Sequence, residues 1–166
     1  MKRLAILAVL LTTLPLAAEA QRFRAWLHGY QEVPSVNSQA DGIFEAQTRD
    51  GPSLDFELAY EGLQATVTQA HIHFAQKSVN GPIVVWLCGT SANPGPEGTQ
   101  TCPQSGRVNG TITSVDVLAS GTQQLGAGAI ADLIAAMRSG VAYVNIHTSV
   151  SPGGEIRGQI NRLGGR

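Results

Sequence analysis

Leu54-Asp55-Phe56-Glu57-Leu58-Ala59 decides the fold. Apolar side chains alternate with outward-facing ones at period two, the pattern of a strand with one face in a core. Phe23, Ala25 and Leu27 alternate in the same way with Arg24, Trp26 and His28. Working outward, further strands are predicted at 43–48, 66–74, 83–87, 107–113, 142–147 and 155–160. Between them stand Asp50-Gly51-Pro52, Asn80-Gly81-Pro82, Asn93-Pro94-Gly95-Pro96 and Ser151-Pro152-Gly153-Gly154, which are turn and breaker signals. Short strands with regular breaks predict a mainly β protein, a sandwich or barrel.

One segment departs from period two. Residues 127–139 carry Ile130, Leu133, Ile134 and Met137 at i, i+3, i+4 and i+7, with Gly140 as a stop. This predicts one short amphipathic helix packed on the sheets. Gly126-Ala127-Gly128-Ala129-Ile130-Ala131 has the spacing of a dinucleotide fingerprint. No strand leads into it and no βαβ unit surrounds it, so helix packing is the reading kept.

The N-terminus reads as a secretory signal peptide over residues 1–20. Lys2 and Arg3 precede a run, 4–14, that is apolar apart from Thr12 and Thr13, and Ala18-Glu19-Ala20 supplies a small-x-small cleavage site. The run is shorter than the roughly 20 residues a membrane span needs. Residues 21–166 fit one domain, with no second apolar run of spanning length, exported to the periplasm or the extracellular space. Eleven Lys and Arg face twelve Asp and Glu, a net charge of −1, with no block of like charge. A nucleic-acid partner is therefore not expected. The two cysteines, Cys88 and Cys102, suit a disulfide in an exported chain. A pair of metal thiolates is the alternative, though no CxxC spacing is present.

Three of the four histidines fall in two motifs, Ala70-His71-Ile72-His73-Phe74 and Tyr143-Val144-Asn145-Ile146-His147-Thr148. On a strand, His71 and His73 share a face, with Cα atoms roughly 6.5 Å apart. His147 shares its face with Asn145 and Tyr143. If the two strands are neighbours, three imidazoles converge. Imidazole suits zinc, copper, iron and nickel, and three histidines leave an open position that Tyr143 could fill. Alternatively, the rings only hydrogen-bond neighbouring loops. The residues alone leave both readings open. A blue-copper site would need a free thiolate, which a disulfide removes. His28 falls on the polar face of the first strand and reads as a solvated surface histidine.

In the tail, Glu155, Arg157 and Gln159 share one face, while Ile156, Gly158 and Ile160 share the other. A Glu155–Arg157 ion pair that fixes register is expected. The functional alternative has Arg157 guide an anion to the histidines. Gly158 on the inner face implies a close backbone approach. There is also an echo: Ile72-His73 precedes Gly81-Pro82-Ile83 as Ile146-His147 precedes Gly154-Glu155-Ile156. The chain has neither a G-x-S-x-G elbow nor a phosphate-binding glycine loop, so no hydrolytic nucleophile is assigned. Asn109-Gly110-Thr111 is a glycosylation sequon, meaningful only in a host that modifies it.

Five motifs in order resemble the CHRD (chordin-type) domain family: Leu27-x-Gly29-x-Gln31-Glu32-Val33-Pro34, Ala70–His73, Gly110–Thr113, Ala142–Thr148 and Gly154–Ile160. The likeness runs from Phe23 to Leu163. Ser35 stands where many relatives have a second proline, and His28 where small residues are common. The resemblance implies an immunoglobulin-like antiparallel β-sandwich in an extracellular setting, since the family is named for domains of an antagonist of bone morphogenetic proteins. The His-x-His strand and late histidine also look like the copper site of Cu,Zn superoxide dismutase, in arrangement only. These likenesses favour one copper ion, ahead of zinc or iron, held by His71, His73 and His147. Tyr143, Asn145, Glu155 and Arg157 would line the site, in a redox or metal-handling role. The rival expectation is a metal-free interaction module for an extracellular or periplasmic protein partner.

Overall fold

The structure, a computed structural model, describes residues 19–164. The signal peptide read at 1–20 lies, up to residue 18, outside the described residues. The strands are β1 (Arg22–His28), β2 (Asp41–Thr48), β3 (Leu54–Glu61), β4 (Val67–Phe74), β5 (Ile83–Cys88), β6 (Gly106–Ile112), β7 (Ala142–Thr148), β8 (Ile156–Gln159) and β9 (Asn161–Leu163), with one helix, α1 (Ile130–Arg138). Each strand expected from the alternation is present within a few residues. The short β9, polar and unpatterned, went unread.

In β3 the alternation becomes burial: Leu54, Phe56, Leu58 and Tyr60 are buried, and Asp55, Glu57 and Glu61 are not. Fully burying such an apolar side chain stabilises by about 1.5–3 kcal/mol. All pairings between strands are antiparallel, in the order β5-β4-β7-β8-β1-β2-β3-β6, with β9 on β1. The sheet curls until its two halves face each other across one core, the expected sandwich in a nearly closed form. The halves join along β1, which pairs with β8 at His28↔Arg157 and with β9 from Arg22 to Arg24. At this join the expected close approach appears. A Cβ on Gly158 would strike the backbone carbonyl of Trp26 and lie 3.2 Å from Ala25 Cβ.

The helix starts at Ile130, the first residue of its apolar stripe and three residues into the predicted segment 127–139. Gly128 has φ +77° and Ala129 offers no capping side chain, so 126–129 form turns instead. It ends in a Schellman motif: Gly140 N–H donates to Met137 O (3.1 Å) and Val141 N–H to Ala136 O (3.0 Å), with Gly140 at φ +68°. Cys88 and Cys102 form a disulfide, which rules out the thiolate alternative and pins the loop after β5.

Candidate metal centre

The site begins with a pairing that sequence could only suppose. β4 and β7 are hydrogen-bonded neighbours, with His71 opposite Asn145, His73 opposite Tyr143 and Gln69 opposite His147. His147 therefore sits diagonally from His71 on the same face, within reach of a long side chain. One ring nitrogen from each of His71, His73 and His147 lies within 4.8 Å of the other two.

The face that carries them is polar yet buried. All seven residues of β7 are buried, because one side faces the core and three loops cover the other. Buried polar side chains are the informative exceptions in a folded protein, and their hydrogen bonds show how they are used. His73 Nδ1–H donates to Gly81 O (2.9 Å) in the β4–β5 loop. His147 Nδ1–H donates to Pro152 O (2.9 Å) in the β7–β8 loop. The sequence echo thus has a local structural counterpart: each Ile-His strand end is followed by a loop whose carbonyl takes the histidine's proton. Such bonds fix the tautomer and leave the lone pair on Nε2. His71 Nδ1 lies 3.2 Å from His147 Nε2. His73 Nε2 and His71 Nε2 are buried with no hydrogen-bond partner, a costly state for a polar atom.

Burial also sets the charge. Desolvation, followed by the neighbouring His147 and His73, pushes His71 down to about 2. His73 is pushed down to about 4, again chiefly by desolvation, and His147 is lowered by the same cause. At neutral pH the rings are uncharged, the form that binds a metal ion.

Tyr143 and Arg157 brace this arrangement. The Tyr143 ring stacks on His73, centroids 4.7 Å apart and planes within 3°, and its hydroxyl accepts from Gly81 N–H (3.3 Å). On the β8 side the Arg157 guanidinium carbon lies 3.4 Å from the Tyr143 ring centre. Fully buried, Arg157 donates to Val79 O (2.9 Å), Asn80 Oδ1 (3.2 Å) and Gln76 O (3.4 Å). It thereby fastens the loop that presents Gly81 O to His73.

The expected Glu155–Arg157 ion pair does not form. Glu155 precedes β8, where Gly154 turns the chain at φ +125°. Its carboxylate accepts from Ser38 Oγ (2.7 Å), Thr148 Oγ1 (2.7 Å) and Gln64 N–H (2.9 Å). It ties the loops together and does not contribute an oxygen to the histidine cluster. His28 is exposed, as read, with Nδ1 3.1 Å from Asp41 Oδ1.

Two neighbours of the cluster escaped sequence reasoning. Trp86 packs edge-on against His71, centroids 4.2 Å apart; bulges between β4 and β5 scramble the parity that would have placed it there. Glu32, in the loop after β1, is buried with Oε1 3.5 Å from Asn145 Nδ2. Loops are usually exposed, and nothing local marks this carboxylate for burial.

No curated protein and no solved structure matches the chain. The family model of the CHRD domain matches residues 23–160, a span that runs from the second residue of β1 through β8 and includes every residue of the histidine cluster. The chain belongs to the CHRD domain family.

Proposed function

We propose that this is an exported protein that binds one transition-metal ion through His71, His73 and His147, in a redox or metal-handling role. One observation carries the reading: three buried, neutral imidazoles converge, two with Nδ1–H committed to carbonyls and two with an Nε2 that has no partner. Two of the three histidines have the outer-shell partner that metal-bound imidazoles have. Copper is the favoured ion, ahead of zinc or iron. The donors are imidazoles with no thiolate among them, and divalent copper leads the affinity order at such sites. The disulfide supports export, because such bonds persist in oxidising compartments. The likeness to a dismutase copper site belongs to this reading and brings no activity with it.

The test is metal analysis with electron paramagnetic resonance on protein purified from an exporting host. About one copper per chain with nitrogen hyperfine splitting is expected. His71→Ala and His147→Ala should each lose stoichiometric copper while circular dichroism shows the fold retained. A protein that takes up no copper, zinc or iron overturns the reading and leaves an interaction module in its place.

A further inference from the structure

His147 Nε2 has a second neighbour besides His71. Asn145 Oδ1 lies 3.0 Å away. With Nδ1–H given to Pro152 O, Nε2 of the neutral ring is a lone pair facing a carbonyl oxygen. The His71 Nδ1–H, 3.2 Å from Nε2, serves that lone pair but leaves the Oδ1 contact without a proton of its own, a contact that a cation at Nε2 or a turned amide relieves. The far end of the same amide faces Glu32, 3.5 Å from Oε1. Room for this contact is built in: Gly154, at φ +125°, lacks a side chain where a Cβ would strike the Glu32 carboxylate and the Asn145 amide.

The chain Glu32–Asn145–His147 therefore has two self-consistent states. In one, Glu32 carries a proton and donates it to Asn145 Oδ1, while Asn145 Nδ2–H donates to His147 Nε2. In the other, Glu32 is ionised and accepts from Nδ2–H, and Oδ1 turns toward a cation held at Nε2. A protonated carboxyl group can lose its proton only if solvent can take it, and Glu32 also lines a cleft of about 350 Å³ with Tyr30, Lys77, Ser78 and Arg157.

We propose that Glu32 is the counter-charge of the metal centre, acting through Asn145, so that uptake of a divalent cation releases the Glu32 proton into the cleft. This rests on the metal-binding reading above. The step balances: the cation enters three neutral imidazoles, the carboxyl O–H breaks, and the proton leaves to water. Glu32 is a positioning residue, since it touches the ligands only through Asn145. The charged and titratable groups around it are Arg157 on β8, Tyr143 on β7, Lys77 in the β4–β5 loop, and His147 beyond Asn145. Desolvation outweighs the Val33 N–H, Arg157 and Asn145, and raises Glu32 to about 7.

Copper(II) alone is titrated into the protein at pH 6.0 by calorimetry, in two buffers of different ionisation enthalpy, to count protons. The parent should release about 0.9 proton per ion and Glu32→Gln close to none. The parent's apparent affinity should fall about tenfold between pH 8.0 and 6.0 and stay level in the variant. Equal release from both proteins, with copper bound by both, overturns the role of Glu32 and leaves the metal site standing. If neither protein takes copper, the metal reading itself fails, and this inference with it. The parent alone supplies a second readout. Its protonated-carboxyl infrared band should vanish on copper addition, and persistence of that band overturns the proposal whatever the variant does.

Discussion

Acid should weaken the metal-free protein through its buried histidines, by an amount the site fixes. Below the ordinary value of 6.5 an unfolded chain takes a proton on each imidazole. The folded chain does not, because His71 is lowered to about 2 and His73 to about 4. A lowered group contributes stability that is complete above the unfolded value and is lost as pH falls toward the folded one. From pH 7.5 to 5.0 the interval that counts is about 1.5 units, which at about 1.4 kcal/mol per unit gives about 2 kcal/mol for each histidine. This figure does not depend on how deep the folded values lie, since pH 5.0 is above both. Glu32 runs the other way. Raised from 4.5 to about 7, it contributes stability that is complete below the unfolded value and is lost as pH rises through 7. Over the same range it favours the acid side by about 2 kcal/mol. Urea unfolding of chelator-treated protein at both pH values separates the two. The difference between the unfolding free energies at pH 7.5 and 5.0 should shrink by about 2 kcal/mol in His73→Gln and grow by about 2 kcal/mol in Glu32→Gln. The other carboxylates titrate alike in all three proteins and cancel. A His73→Gln variant whose pH dependence matches the parent within about 0.5 kcal/mol refutes the reasoning.

Other outcomes follow from single contacts. Replacing Cys88 and Cys102 by alanine frees a loop closed over a separation of 14 residues and should cost about 3 kcal/mol in urea unfolding. Gly158→Ala puts a methyl against the Trp26 carbonyl at the join between the sheet halves, and a loss of about 1–3 kcal/mol is expected by the same assay. Arg157→Lys leaves the Tyr143 face and the carbonyl of Val79 without a fork. About 2–3 kcal/mol should be lost, with faster proteolysis of the 75–82 loop. Tyr143→Phe removes only the acceptor for Gly81 N–H, costs about 1 kcal/mol, and should leave stoichiometric metal bound.

The strands were legible because alternation in segments such as Leu54–Ala59 needs only local side-chain chemistry, and burial follows it residue by residue. The helix was legible in its body and misjudged at its start, where a glycine conformation and a missing cap, both local but unpatterned, delay it. The histidine motifs gave candidates and their faces. The Glu155–Arg157 pair failed for a physical reason: shared parity on a strand means nothing once the chain turns at Gly154.

Sequence by itself determined the fold class, the helix body, the buried and polar faces of regular strands such as β1 and β3, and the family, all of which are properties of short windows or of their order along the chain. Tertiary structure alone decided that β4 and β7 are neighbours, that loops from three places close over a polar strand, and that Gly81 and Pro152 orient two of the rings. It alone buried Glu32 beside Asn145. These are contacts between residues from 5 to 113 positions apart, made by chain closure, and desolvation becomes a force on a side chain only once the rest of the protein has excluded the water around it.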